Sequence, residues 1–530
     1  KFVRRNRGPV LAGSLVLLAL LLGIAGTTFG LLRAEERRKE ADQAREREKG
    51  RADGEAKAKE QSEKRLGQVR AGYDTLSAVF RDLDPKFEEK EGKTLRELLG
   101  DRLVAAAGRL EGDAVGDPEV VADLQARVGE SLVGLGLAEP AEGILRTALG
   151  THRRLLGDDH PKALEDEEQL GHALLVRGRY ADAEGRYMAV LAARERALGG
   201  EHKEVLAAVN NLANVYLLTA RYTDAEPLYR RAVDTGRRVL GADHRDVLSA
   251  VNNLGSVCYF QTRYADAEPL YREALDRRRT TLGETHADTL SVLNNLSNLY
   301  TAQGKYAAAE EHARQAIDGY RAKLGDDHPY TLRAVHNLAL LYGKMGRLAD
   351  AELLYRQVID GLRRRHGDDH PDVMRPTQDL AALYWRQKKL DQSVPLFERA
   401  ADRLKAKLGV DHVDTLLAMA NLGVNYRDAG RVDDGLKLLE EVDRRRAGKA
   451  ILAWVADSLV ATYLRAGRTE AAAEYLVKSA ATARRTLPAG GAALGTALAK
   501  AGGKLAEVKE FAAAEPMLRD AIGIREALAA

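Results

Sequence analysis

Residues 202–243 read "HKEVLAAVNNLANVYLLTARYTDAEPLYRRAVDTGRRVLGAD", and the next 42 residues repeat the pattern as "HRDVLSAVNNLGSVCYFQTRYADAEPLYREALDRRRTTLGET". Within the first copy Leu212, Val215 and Tyr216 recur at helical spacing, and Ala225, Leu228, Tyr229, Ala232 and Val233 do so again after a basic turn, "ARY". The closing Leu240-Gly241 suits a helix C-cap. The opening, seen more fully in Asp159-His160-Pro161, offers a cap and a proline for a first helical turn. Each copy is therefore a helix hairpin with an apolar face left over. It can bury that face only against its neighbours, which makes a solenoid.

The period extends in both directions. His160, His202, His244, His286, His328, His370 and His412 are each 42 residues apart. Tyr180, Tyr222, Tyr264 and Tyr306 form a second column, continued by Leu348, Leu390 and Val432. Tyr216, Tyr300, Tyr342, Tyr384 and Tyr426 form a third, in which Cys258 replaces a tyrosine. Cys258 thus reads as a small core residue rather than a nucleophile. The histidines do not read as metal ligands, because neighbouring hairpins hold equivalent residues about 10 Å apart while a metal ligand sits near 2 Å. Helix capping and turn packing are the expectation for them.

The motif L-x-x-x-Y, then G-x-Y, then A-E-x-x-Y, resembles the tetratricopeptide (TPR) repeat. The 42-residue form "LG-x-x-HP…NNLA…Y…GKY…AE…LYRRAL" is closely similar to the repeats of kinesin light chains, over residues 118 to about 447. A degenerate copy starts at Asp117-Pro118. Two looser copies follow "RRRAGK", giving ten units with residues 448–530 as degenerate repeats and cap. The resemblance implies an all-α, right-handed superhelix that binds protein or peptide partners in a concave groove.

His244-Arg245-Asp246 looks like the start of a protein-kinase catalytic loop, but the required asparagine is displaced: Val251 stands there and Asn252 is one residue too far. The same column carries "HAD" at 286–288 and "HPD" at 370–372. No glycine-rich phosphate loop, V-A-I-K, D-F-G, G-x-S-x-G or H-E-x-x-H sequence occurs. "AGGAALGTALAKAGGK", residues 489–504, has no phosphate-loop spacing and reads as a loop and a poor helix. We expect no catalytic residue, cofactor or metal in this chain.

The functional signal is a column of asparagines. Asn211, Asn253, Asn295, Asn337 and Asn421 share one position of the first helix, with Gln169 and Asp379 completing it. Asparagine is a poor helix-interior residue, so five copies need a reason. The resemblance places this position in the concave groove, where an amide, both donor and acceptor, suits an extended peptide's backbone. An asparagine ladder tying adjacent helices together is the alternative. Asn210, Asn252, Asn294, Asn214 and Asn298 lie nearby, and Tyr259, Phe260 and Trp385 are candidate apolar anchors. Arg333, Lys344, Arg375 and Arg386 make the later face more basic, which either favours an acidic peptide or is solvated charge.

Bulk numbers agree with an interaction protein. Of 530 residues, 82 are Lys or Arg and 79 Asp or Glu, a net +3 mixed along the chain, so nothing draws it to nucleic acid. A single cysteine excludes an internal disulfide framework.

Upstream, residues 1–9 are basic and residues 10–32 carry no charge. Those 23 residues reach about 34 Å as a helix, enough to cross a core of about 30 Å. A transmembrane helix is the expectation, and a signal peptide the alternative. Basic residues on both flanks leave orientation weakly set, leaning to an extracytoplasmic repeat region. Residues 33–70 suit a charged helical stalk, with a dimerising signal helix as the alternative; their apolar positions are mostly alanines, which disfavours a strong coiled coil. Residues 71–117 suit a small helical adaptor. This order, from the basic start through "RAEE" at 33–36 to "DPEV" at 117–120 and the repeats, resembles the C-terminal half of membrane-anchored bacterial serine/threonine kinases. That resemblance implies a piece of a longer chain, beginning at Lys1, with a kinase domain upstream.

Overall fold

Each hairpin in the chain is built by the same local rules, visible in a computed structural model that describes residues 66, 67, 77, 79, 95–110, 117–446 and 452–529. The expected transmembrane helix and most of the stalk and adaptor lie outside the described residues. Among the described residues no helix is long and apolar enough to cross a membrane.

Twenty-one helices and no strand are found there. The first is α1 (Leu95–Leu110). Ten hairpins follow: α2 (Pro118–Gly134) with α3 (Ala138–Leu156), α4 (Pro161–Val176) with α5 (Tyr180–Leu198), α6 (Lys203–Leu218) with α7 (Tyr222–Val239), α8 (Arg245–Phe260) with α9 (Tyr264–Leu282), α10 (Ala287–Ala302) with α11 (Tyr306–Leu324), α12 (Pro329–Lys344) with α13 (Leu348–His366), α14 (Pro371–Arg386) with α15 (Leu390–Leu408), α16 (Val413–Asp428) with α17 (Val432–Arg445), α18 (Val455–Arg465) with α19 (Thr469–Thr486), and α20 (Ala492–Glu507) with α21 (Phe511–Ala529). The chain divides into two compact units, residues 1–331 and 332–530, the division falling in the first turn of α12.

The first helix of a hairpin starts at its histidine. His244 is extended (φ −66°, ψ 138°), and its Nδ1 accepts from the backbone N–H of Asp246 at 3.2 Å. The cap is thus the histidine ring itself, not the aspartate before it. The second helix stops where only glycine is comfortable: Gly283 has φ +89° and its N–H returns to the Arg279 carbonyl. Between the helices the chain turns through a left-handed residue. Glycine fills that place at Gly178 and Gly304, but Ala220, Thr262 and Lys388 also adopt it, with φ of 59°, 61° and 62°.

Small residues on the first helix receive aromatics from the second. A Cβ on Gly255 would lie 2.9 Å from the buried Tyr271 ring, and one on Gly171 would lie 2.8 Å from Tyr187. The same logic corrects the reading of residues 489–504. Gly490 and Gly491 do form a turn, but α20 runs on through the later glycines, and Gly502 brings it so close to α21 that a Cβ would meet Leu518 at 2.8 Å. Glycine's poor helix propensity is overridden by that approach.

The basic turn joins hairpins. In the first unit Arg221 reaches Glu184 at 2.8 Å, Arg263 reaches Glu226 at 2.9 Å and Lys305 reaches Glu268 at 3.2 Å, each glutamate lying on the preceding hairpin's second helix. In the second unit Arg431 reaches Glu398 at 3.0 Å. The same cations stack on the tyrosine column, with Arg221 4.1 Å over Tyr216 and Arg431 3.9 Å over Tyr426. Where Cys258 replaces the tyrosine, it is 1% exposed and its Sγ accepts from Arg263 Nη2 at 3.0 Å.

Candidate functional site

The asparagine column lies half-buried on the first helices: Asn211, Asn253 and Asn295 in the first unit, Asn337 and Asn421 in the second, with Asn214 and Asn298 similarly placed. Part of its hydrogen-bonding capacity is spent between hairpins. Asn295 Nδ2 donates to Asn252 Oδ1 at 3.0 Å, and Asn252 Nδ2 donates to Asn253 Oδ1 at 3.2 Å. Asn211 Nδ2 donates to Glu168 Oε1. In the second unit Asp379 Oδ2 lies 2.7 Å from His336 Nε2 in the same relation. These rungs make the ladder real, yet a side-chain amide with one N–H engaged keeps a second N–H and two carbonyl lone pairs.

Beneath the ladder of the first unit sit buried cations that the asparagine column gives no hint of. Arg194 of α5 places Nη2 2.7 Å from Glu168 Oε2 and donates from Nη1 to the Glu204 carbonyl at 3.2 Å. Two hairpins on, Arg278 of α9 is 4% exposed and donates from Nη1 to the Asp288 carbonyl at 3.0 Å. Its Nη2 meets Ser249 Oγ at 3.0 Å, and it makes no ion pair among the described residues. Burial holds its guanidinium below the ordinary arginine value; Asp288 opposes that fall, and the like charge of Arg245 adds to it. Gly236 holds the position between them, where a Cβ would strike Val247 Cγ2 at 2.8 Å.

His152 fills the corresponding place on α3. It is 1% exposed, with Nδ1 2.6 Å from Asp166 Oδ2 and Nε2 3.3 Å from Asp123 Oδ1. Lys162 closes the group at 2.7 Å from Asp123 and 2.8 Å from Glu119. Burial pulls the imidazole down, but the bonds to Asp123 and Asp166 outweigh it and push its pKa up to about 9. Burial raises Asp166, whereas Asp123 is lowered because His152 and Lys162 overcome its own burial. His152 therefore ties α2, α3 and α4 together as a cation.

The aromatic candidates divide. Phe260 is 51% exposed and stacks flat on Tyr222, centroids 5.4 Å apart, while Tyr259 meets both Phe260 and Tyr264. Trp385, in the second unit, is half-buried and donates from Nε1 to Asp428 Oδ2 at 2.8 Å. It is tied to the next hairpin rather than left as an unencumbered anchor. Of the basic residues on this unit, Lys344 and Arg375 are exposed and Arg386 donates to the Gly343 carbonyl at 3.2 Å.

The seven period-marking histidines act at helix starts. Each accepts a backbone N–H on Nδ1, from His160 at 3.3 Å to His412 at 3.2 Å. No trio of His, Cys, Asp or Glu among the described residues could hold a metal. Glu168, Arg194, Arg278 and Ser249 escaped the sequence reading because it followed columns of sameness. Their signal was a column that varies, Glu168–Asn210–Asn252, above another that varies with it, Arg194–Gly236–Arg278.

Comparison with known proteins bears on the whole array. The family model described as tetratricopeptide repeat matches residues 167–237, 204–280, 246–322, 288–364 and 372–442, more than half of the chain, and a second model of the same description matches 121–162 and 452–490. No curated protein matches. Among solved structures, a Podosopora anserina protein described as a kinesin light chain with nearly identical TPR-like repeats is 21% identical (39% of this chain, 96% of that one, TM-score 0.34). BtubC (BKLC) from P. vanneervenii is 25% identical (45% and 95%, TM-score 0.37). The quorum sensor NprR from B. thuringiensis is 15% identical (68% and 99%, TM-score 0.48).

Proposed function

The chain belongs to the tetratricopeptide-repeat family, and on that premise we propose that it is a scaffold binding extended segments of partner proteins along the asparagine-bearing face of its first helices. The observation that carries this is the set of half-buried amides at one position of the first helices, of which Asn211 and Asn295, with one N–H engaged in the ladder, keep further donor and acceptor capacity. A polypeptide backbone offers the complementary groups at regular intervals. Within the first unit Phe260 supplies an apolar preference beside that backbone recognition; within the second, the exposed Lys344 and Arg375 favour acidic side chains.

The test is a library of short extended peptides offered to the full chain and to the Asn253→Ala, Asn295→Ala double variant. Retained peptides should bind the variant at least about tenfold more weakly while its melting temperature moves by only a few degrees. Equal retention would assign the asparagines to the ladder alone. We propose further that residues 10–32 anchor this scaffold in a membrane, supported by their length and lack of charge. Release of the full chain from vesicles by alkaline carbonate would refute that anchoring.

A further inference from the structure

We propose that α8 and α10, with Arg278 beneath them, hold an acidic side chain of a bound polypeptide, its carboxylate taking the place that Glu168 fills against Arg194. This rests on the peptide-binding reading above and names one of its anchors.

The hairpins of Arg194 and Arg278 lie two periods apart. Arg194 and Arg278 occupy the same position and each spends Nη1 on the equivalent backbone carbonyl, Glu204 and Asp288. Asn211 and Asn295 likewise donate to equivalent partners, Glu168 and Asn252. Two positions over the arginine change: Glu168 becomes Asn252, a carboxylate replaced by an amide, and Glu165 becomes Ser249. Arg194 thereby has a counter-charge at 2.7 Å, while Nη2 of Arg278 meets only the neutral Ser249 hydroxyl. A buried charge is stable when paired, and this one lacks a carboxylate in reach among the described residues.

The surroundings favour an anion. Arg245 starts the same helix and is exposed, and it makes no ion pair among the described residues. It stands one helical turn before Ser249 and two before Asn252, on the same side of α8. Asp288 is the acidic group whose field opposes the two arginines, and its carboxylate stays outside ion-pair reach of Arg278. Asn252 is one methylene shorter than the glutamate it replaces, and Asn253 and Asn295 offer amides alongside. A planar carboxylate matches a guanidinium edge, which is the pairing the Arg194 hairpin already makes. This also gives the arginine of the kinase-like "HRD" a use: Arg245 adds charge at the rim of the site.

Fluorescein-labelled hexaglutamate, with hexaglutamine as control, is titrated by anisotropy against the full chain, alongside thermal melts. We expect hexaglutamate to bind about tenfold or more tightly than hexaglutamine, and Arg278→Met to abolish the difference. Asn252→Glu supplies the missing carboxylate from within. It should lose hexaglutamate affinity by about tenfold or more and raise the melting temperature, even if Arg278→Met fails to fold. Unchanged binding by Asn252→Glu, or a lowered melting temperature, overturns the proposal. So does displacement of hexaglutamate by inorganic phosphate more effectively than by equal acetate. Neutral library peptides that bind wild type and Asn252→Glu alike, while hexaglutamate also binds both alike, would leave the general peptide-binding reading standing and sink only this anchor.

Discussion

The hairpins around Arg194 and Arg278 share sequence pattern, backbone and capping, yet one is electrostatically closed and the other open. Glu168 and Arg194 form an ion pair under an asparagine rung, while Asn252 leaves Arg278 with neutral partners only. A repeat protein can thus hold its architecture constant and vary the charge state of one buried position. At the same position in the second unit Leu362 is half-buried and Leu404 fully buried, while Arg446 is only half-buried and pairs with Asp443 at 2.7 Å. The buried cations are a property of the first unit, at His152, Arg194 and Arg278, and chemistry that needs a buried charge belongs there.

The comparison can be broken most forcefully at its closed end. Glu168→Gln removes the carboxylate from Arg194 and strands a buried charge, which should cost about 3–5 kcal/mol in urea unfolding. A loss below about 1 kcal/mol would mean that the pair is not what distinguishes the two hairpins. The pH dependence comes next. His152 has a folded pKa of about 9, above its unfolded value of about 6.5, so its stabilisation is complete below about pH 6.5 and is lost as pH rises through 9. About 3 kcal/mol should disappear across that window, localised to α2–α4 by hydrogen exchange and absent from His152→Phe.

Smaller effects sharpen the comparison by showing what does not differ. His160→Ala and His244→Ala remove the same cap from the closed and open hairpins. Each should cost about 1 kcal/mol, the size typical of a lost side-chain cap. Unequal costs would show that capping is coupled to the buried charge. Thr262 turns the open hairpin at φ +61°, a conformation costly for a β-branched residue. Thr262→Gly should stabilise by about 1 kcal/mol, read as a raised melting temperature, and leave peptide binding unchanged.

How far the sequence could be read depends on the range of the forces involved. Hairpins, stops and the buried cysteine were legible because helix periodicity, glycine at a left-handed stop and volume at a core position are local or repeat-wide requirements. The glycine-rich stretch of α20 misled, because its glycines serve a partner helix that propensity does not see. Trp385 was legible as an aromatic of the first helix, but not the bond its indole donates to Asp428 on the next hairpin, 43 residues away. The asparagines were legible as a column, but their rungs run from one hairpin to an adjacent position of the next, a relation with no signature in either helix alone.

The sequence by itself determined that this chain stacks helix hairpins and where those of the regular 42-residue period begin. These follow from a 42-residue period strong enough to survive individual substitutions. Tertiary structure alone decided which charges are buried and whether they are paired. Arg194 and Arg278 are indistinguishable in their helices. They differ because a residue from the first helix of the same hairpin, Glu168 or Asn252, stands over them, and electrostatic energy depends on distance through space rather than along the chain.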